Sequence, residues 1–425
     1  MKILVLGSGG REHALIWKLK QSPMVERVYS IPGNAGIAEI ADTKRISLSD
    51  KNLIAEFIRE KKIDLTVVGP EQPLVEGLVD FLEKENMTVF GPGSDAARIE
   101  GSKVFAKNFM KKYNIPTADF TEFSDFDAAL DYLNRLKSPE IVVKADGLAA
   151  GKGSIVCHTK NEAQQAIEDI MKRRIFGSAG DRIILEECMK GEEVSLFVIA
   201  DGSHFVLLSP AQDFKRALNE DSGKNTGGMG SYAPTPFLTD DLLRMSVEKI
   251  VKPMLSGFRN EKITYKGVLY CGLMLTRTGP RVVEFNCRFG DPETQAVLPL
   301  LESDLAELLM AASTGNLADQ KIILNPGYAV CVIAASGGYP DSYENGKIIS
   351  GLDQLEDDVI VFHAGTVQKN GQLVTNGGRV LGVTAVHKDL QGAVDRVYHN
   401  IRRIHFEGIH YRQDIALRAL RIMNE

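Results

Sequence analysis

The chain has little of what marks several common protein classes. Its five cysteines, Cys157, Cys188, Cys271, Cys287 and Cys331, are scattered, odd in number and form no C-x-x-C. That argues against a disulfide framework or a zinc site and fits a reducing, cytoplasmic compartment. The eight histidines form no H-E-x-x-H motif, the helical zinc signature. No apolar run approaches the ~20 residues that cross a bilayer. Met1-Lys-Ile-Leu-Val-Leu-Gly7 enters a strand directly, without the basic segment, long apolar core and cleavage site of a secretion signal. Lysine and arginine never gather into a block, and the formal net charge is -6. The expectation is therefore no membrane and no nucleic-acid partner, but a small molecule whose phosphates are held by local groups. Internal repeats, low-complexity tracts and long linkers are also missing.

What is there is an ordinary globular composition, 44% hydrophobic and 25% charged, over 425 residues. That is too long for one core, so two to four domains are expected. The first hundred residues alternate strand and helix: strands at 2–6, Val25–Ile31, Asp64–Gly69 and Thr88–Gly91, helices after Gly7–His13 and at Asn52–Lys62 and Leu74–Glu85. This alternation predicts a parallel sheet with ligands at the strands' carboxyl ends. Three such ends carry informative loops: Gly7–His13, Pro32–Gly36 and Gly69–Leu74. In Gly7-Ser-Gly-Gly-Arg-Glu-His13, Glu12 stands where a dinucleotide fingerprint needs its third glycine, and no acidic residue ends the second strand. A nicotinamide cofactor is discounted on that ground. A phosphate site at the helix N-terminus and a plain tight turn both remain open.

A helix from about Asp95 to Tyr113, containing Lys103, ends at Ile115-Pro116-Thr117, where a different unit begins. After the helix Phe126–Leu136, the strand Ile141–Lys144 leads into a glycine loop with Gly151, Lys152, Gly153 and Ser154, then a second strand at Ile155–Cys157. A Walker loop would open a helix; this one joins two strands and reads as a hairpin folding over phosphates. Lys103, Lys144 and Lys152 could reach one polyphosphate. A strand at Arg182–Glu186, a short linker and a strand at Val194–Ala200 read as a hinge between a lid and a body. The linker's main chain suits an adenine edge, with Glu186 and Glu193 near the amino group and ribose; an acidic turn is the alternative. Gln212–Pro234 is a long polar, glycine-rich loop, of a length that is usually functional or disordered.

The helix Thr239–Phe258 and the strand Tyr265–Thr276 lead to Arg281-Val-Val-Glu-Phe-Asn-Cys-Arg-Phe-Gly-Asp-Pro-Glu-Thr-Gln295. Alternation along a strand puts Glu284 and Asn286 on one face, as a hard cation requires. Spacing alone leaves open both a metal or anion site and a strand end entering a solvated charged turn. Gly290 and Pro292 then turn the chain so that Arg288, Asp291 and Glu293 can face the same cleft. Beyond Asn325-Pro-Gly327 lies a strand-rich unit (Tyr328–Ala335, Val359–Gln368, Leu373–Asn376, Val380–His387) with a helical segment at Leu390–Ile404. Arg379 is its one residue expected near the cleft.

These motifs resemble the ATP-grasp superfamily, and within it the phosphoribosylamine–glycine ligase family of purine biosynthesis. The resemblance rests on Gly7–Ala14, Lys144–Gly153, Asp213-Phe-Lys-Arg216 with Asn225–Gly230, and Arg288–Gln295, and it covers essentially the whole chain. The glycine loop and the Glu284 strand specify only the superfamily; the other two runs are narrower. The resemblance implies an α/β fold, α+β in part. Its divisions would be a Rossmann-like parallel-sheet N-domain at 1–102, a connector at 103–120, an ATP-grasp lid at 121–192, the ATP-grasp main subdomain at 193–326 and a C-terminal α+β domain at 327–425.

The implied reaction joins glycine to 5-phosphoribosylamine through glycyl phosphate, using ATP with Mg²⁺ or Mn²⁺. Glu284 and Asn286 would hold the metal. Lys103, Lys144, Gly151, Lys152, Gly153 and Ser154 would hold phosphates. Glu186, main chain near Glu187 and Met189, and Glu193 would hold the nucleoside. Asp213, Lys215 and Arg288 would be the catalytic group. Gly9, Gly10, Arg11, Asp291, Pro292 and Glu293 would bind the other substrates. A carboxylase-type ATP-grasp enzyme using bicarbonate and a non-catalytic nucleotide-binding module are the rival readings. The implied protein is cytoplasmic, a monomer or weak dimer.

Overall fold

The chain begins with a parallel five-stranded sheet, in the order Asp42–Thr43, Arg27–Pro32, Lys2–Gly7, Leu65–Val68, Val89–Phe90. Its central strands are apolar throughout because helices cover both faces: Ile3, Leu4, Val5 and Leu6 are fully buried. The computed structural model describes residues 1–149 and 151–424, so Ala150 of the glycine loop lies outside the described residues.

Two expected helices are each broken in two. Leu74–Glu85 is Glu71–Val75 followed by Leu78–Lys84. The break falls at Gly77, whose φ of 76° is the left-handed region that glycine enters without steric cost. Asp95–Tyr113 is Ser94–Gly101 followed by Lys103–Lys112. Ser102 between them is extended (φ -140°, ψ 113°), and its hydroxyl accepts from Phe105 N as the cap of the second helix. The same hydroxyl donates to Asp146 Oδ1 at 2.8 Å.

A four-stranded antiparallel sheet follows, ordered Phe120–Phe123, Ile183–Glu187, Ile141–Ala145, Ser154–Cys157. The helices Phe126–Arg135 and Lys160–Ile167 pack on it around a small core containing Leu133, Val143, Ile167 and Ile183. The next antiparallel sheet is built on the long strands Glu192–Asp201 and Lys266–Thr276, flanked by Phe205–Leu207 and Gly279–Asn286. One apolar cluster runs from the first sheet (Leu4, Leu6) to this one (Val194, Leu196, Cys271). Each such leucine or valine contributes roughly 1.5–3 kcal/mol by burial, so the N-terminal sheet and this body are held as one mass.

The polar loop Gln212–Pro234 is not structureless. It contains the strands Gln212–Asp213, Arg216–Leu218, Ser222–Asn225 and Gly230–Ala233. The outer two pair with each other, and Gly230–Ala233 joins Tyr328–Ala335 in a five-stranded sheet completed by Arg379–His387 and Val359–His363. The inner two form a hairpin whose turn uses left-handed Glu220 and Asp221. Hydrophobic patterning could not show this hairpin, because polar partners hold it. Arg412 Nη1 donates to Asp221 Oδ1 (2.8 Å) and to Arg216 O (3.1 Å), and Gln413 N donates to Asn219 Oδ1 (2.9 Å). The expected strand Val359–Gln368 is likewise two, Val359–His363 and Thr366–Lys369. Gly365 between them lies so close to Gly377 that a Cβ would sit 2.7 Å from its Cα.

Candidate active site

A cleft of about 650 Å³ lies where the N-terminal unit, the two four-stranded sheets, the polar hairpin and the C-terminal unit meet. Its floor is the strand Gly279–Asn286, which carries a bulge: Gly272 pairs with Glu284 and Leu273 with Val282, leaving Val283 unpaired. Strict alternation would turn Val283 to the same side as Phe285. The extra residue instead lets Val282 and Phe285 both pack into the core cluster, while Val283, Glu284 and Asn286 line the cleft and Phe285 borders it. The Val283 carbonyl accepts from Lys144 Nζ at 3.1 Å.

Lys144, on the lid strand Ile141–Ala145, is almost fully buried and is also 2.9 Å from Glu186 Oε2. Glu186, on the neighbouring strand, is equally buried, and its Oε1 lies 3.1 Å from Lys107 Nζ. Lys103 opens its helix at the Ser102 break and donates to Gly147 O at 2.9 Å, beneath the glycine loop. Burial lowers its pKa, with Lys144 adding to the effect against Glu284. Gly153 and Ser154 line the cleft, as does Gly151, but Lys152 does not. Its Nζ donates to Pro340 O at 3.2 Å, in the C-terminal unit. Asn225 Nδ2 donates to Ser154 O at 3.3 Å, so the loop is closed against the polar hairpin. Along the hinge, Glu187, Met189 and Glu193 line the cleft. Gly191 is required there, because a Cβ would lie 2.1 Å from Leu275 O.

At the other end, Glu284 lies 3.8 Å from Lys215 Nζ, which pairs more closely with Glu193. Burial pushes the Glu284 carboxyl up, but Lys215, Lys144, Lys103 and Arg288 outweigh it and hold it below the usual range. Asp213 goes the other way. Burial, with Glu293, Glu193 and Glu284 adding, raises it well above the usual range against Lys215. Arg288 reaches Glu100 Oε1 at 3.1 Å and Glu71 Oε2 at 3.4 Å, while its Nε makes no hydrogen bond among the described residues. Arg288 and Arg11 both donate to Phe289 O, at 3.2 and 3.1 Å. Asp291 accepts from Arg379 Nη2 (2.9 Å) and Gln295 Nε2 (2.7 Å). Buried Glu293 accepts from Ser195 Oγ at 3.3 Å.

The sequence-expected residues therefore converge, with four exceptions. Gly9, Gly10, Lys152 and Pro292 do not line the cleft. Gly9 N donates to Glu12 Oε2 at 2.7 Å, so one free N–H of that helix end is taken by the chain's own carboxylate. Gly10 packs where a Cβ would meet Gln295 Nε2 at 2.6 Å, and Pro292 packs against Gly228. Sequence reasoning missed Glu71, Glu100 and Lys107, all on the cleft wall. Lys107 had a signal: it follows Lys103 by four residues, which puts both on one helix face. Arg379 does reach the cleft, as expected.

The chain matches family models described as the N domain (residues 1–100), the ATP-grasp (A) domain (101–294) and the C domain (329–418) of phosphoribosylglycinamide synthetase. It is 48% identical to a phosphoribosylamine–glycine ligase of Caldanaerobacter subterraneus over 98% of this chain and 99% of that one. The crystal structure of a phosphoribosylamine–glycine ligase from Thermotoga maritima superposes with a TM-score of 0.85 at 34% identity, covering 98% of this chain and all of the other. A biotin carboxylase domain from Hydrogenobacter thermophilus, at 17% identity and TM-score 0.73 over 100% and 94% of the two chains, shares the fold.

Proposed function

The chain belongs to the phosphoribosylglycinamide synthetase family, and from that premise we propose how its cleft works. The activity is that of an ATP-dependent carbon–nitrogen ligase of de novo purine biosynthesis, joining glycine to 5-phosphoribosylamine. The observation that carries our residue assignments is the convergence on one cleft of a cationic pair, Lys103 and Lys144, an acid–amide pair, Glu284 and Asn286, and the Arg288–Glu293 turn.

The nucleotide lies between lid and body. Glu186, buried at this end of the cleft, accepts from the adenine amino group, and main chain at Glu187–Met189 meets the ring edge. Glu193 faces the ribose. Lys103 and Lys144 hold phosphates under Gly151, Gly153 and Ser154; Lys152 joins them only if it leaves Pro340. A divalent cation, magnesium or manganese, would be held by Glu284 and Asn286. Their oxygens are hard donors, and the Glu284 carboxyl stays ionised beside four cations. Among the described residues, no group of three or more His, Cys, Asp and Glu could hold a metal. So few protein ligands suit a cation that leans on substrate phosphates. When bound, such a cation offsets charge on the transferring phosphoryl group.

Glycine binds between Arg288 and the Asp291–Glu293 carboxylates. Its carboxylate oxygen attacks the terminal phosphorus of ATP, the bond to the ADP oxygen breaks, and glycyl phosphate forms. The amine of phosphoribosylamine then attacks the acyl carbon, phosphate leaves and the nitrogen loses a proton. Lys215 and Arg288 counter the negative charge of carboxylate and phosphate, which otherwise repel each other. Asp213 completes that wall, and the closed glycine loop excludes water from an acyl phosphate that would hydrolyse. Phosphoribosylamine approaches from the Gly9–Arg11 side, with Arg11 as its contact on the cleft wall.

The test is ADP release dependent on both glycine and phosphoribosylamine; turnover with bicarbonate in their place would overturn the reading. Glu284→Gln should abolish metal-dependent turnover, and full turnover would remove the metal assignment. No described helix is long and apolar enough to cross a membrane. We place the enzyme in the cytoplasm with small-molecule partners only, as a monomer or weak dimer, which sedimentation would check.

A further inference from the structure

Lys107 has no part in the roles above, yet it is 2% exposed, deep in the nucleotide end of the cleft. Its Nζ donates to Thr117 Oγ1 at 2.7 Å and lies 3.1 Å from Glu186 Oε1. The contacts continue in both directions and close into a ring. Thr117 Oγ1 donates to Val282 O at 2.7 Å; Glu186 Oε2 meets Lys144 at 2.9 Å; Lys144 donates to Val283 O at 3.1 Å. Val283 is the bulged residue and Val282 the paired residue before it, next to Glu284. The ring thus ties five segments together: the Lys103–Lys112 helix, the connector at Thr117, the lid strands Ile141–Ala145 and Ile183–Glu187, and the cleft floor.

Its charges do not cancel. Two ammonium groups share one carboxylate, leaving one positive charge buried beside the expected phosphates. The other groups facing Lys107 are Arg281 from the floor strand and Glu187, which pair with each other, and the Phe120 ring 5.7 Å away. Without Lys107, Glu186 would have Lys144 as its sole cation. That ammonium would then be drawn off the Val283 carbonyl and away from a bound phosphate.

We propose that Lys107 is a positioning residue for ATP: through Glu186 it holds Lys144 divided between the lid and the bulged floor strand, and so sets nucleotide affinity. This rests on the nucleotide assignment made above. Burial, against the pull of Glu186, lowers the Lys107 pKa to about 8. The surplus charge is therefore present below that pH and lost above it.

The experiment measures KM for ATP, KM for glycine and kcat between about pH 6.5 and 9.5. In the native enzyme, KM for ATP should rise as pH passes through about 8, while KM for glycine holds. Lys107→Met should raise KM for ATP about tenfold at pH 7, with a smaller change in kcat, and remove the rise near pH 8. Lys107→Gln keeps a donor for Glu186 but no charge, and serves if the methionine variant does not fold. A change in KM for ATP below about twofold, or an inflection that survives the substitution, overturns the proposal. Lys144→Ala separates the two levels. If it too leaves KM for ATP unchanged, the nucleotide assignment has failed; if it raises KM and the Lys107 variants do not, only the ring has.

Discussion

Glu12 illustrates how one side chain dictates its neighbours. It occupies the position where a dinucleotide-binding turn has its third glycine, and its carboxylate folds back onto Gly9 N and Arg11 Nε. Gly7 and Gly69 are glycines because of it: a Cβ would lie 2.5 Å from Glu12 Cγ at the first and 2.2 Å from Glu12 Oε1 at the second. Replacing glycine by alanine at an unstrained site usually stabilises by about 0.4–1 kcal/mol. Gly69→Ala should instead destabilise by about 1–3 kcal/mol through overpacking, read as a lower urea midpoint. An unchanged or higher midpoint would show that Glu12 moves aside freely. The sequence made the residue types at this turn legible, but not their purpose. The glycines read as room for a ligand, whereas much of that room is filled by the chain's own carboxylate.

At the scale of elements, the candidate functional groups stand where regular structure is interrupted. Lys103 opens a helix because Ser102 breaks the one before it, and Glu284 and Asn286 face the cleft beside an unpaired Val283. Apolar periodicity located the elements on both sides of each interruption. It could not locate the interruptions, because apolar spacing carries on through Ser102 and no glycine or proline marks Val283. The polar hairpin Arg216–Asn225 escaped for a related reason: its partners are the side chains of Arg412 and Asp414, almost two hundred residues away. The Ser102 break has a measurable consequence. Ser102→Ala removes the cap on the Lys103 helix, a loss of about 1 kcal/mol, and one donor to Asp146, which also accepts from Val104 N. Stability should fall by that amount and KM for ATP should rise several-fold as Lys103 loses its fixed origin. A stability loss with KM unchanged would mean that Gly147 O alone positions the ammonium.

Across the whole molecule, the C-terminal unit ties the walls of the cleft together. Arg379 donates to Gly227 O and Asp291 O, joining the polar hairpin's end to the Arg288–Gln295 turn. The same unit docks on the N-terminal sheet through histidine. His13 packs edge-on to Phe362, its Nδ1 accepts from His363 N at 2.8 Å, and both rings are buried. Only an unprotonated nitrogen can accept that bond. Burial and the neighbouring His363 lower the His13 pKa to about 3, and burial lowers that of His363 to about 4. Unfolded, both would titrate near 6.5. The unfolded chain therefore binds more protons at every pH from about 6.5 down to those values, and stability falls as pH falls through that window. Each histidine contributes ~1.4 kcal/mol of that loss between about pH 7.5 and 5.5. Urea midpoints across this range should drop steeply in the native chain and less steeply in His13→Asn, whose amide oxygen can still accept from His363 N but does not titrate. Equal slopes in the two proteins would mean that the acid sensitivity arises elsewhere and that the two domains stay docked with His13 charged.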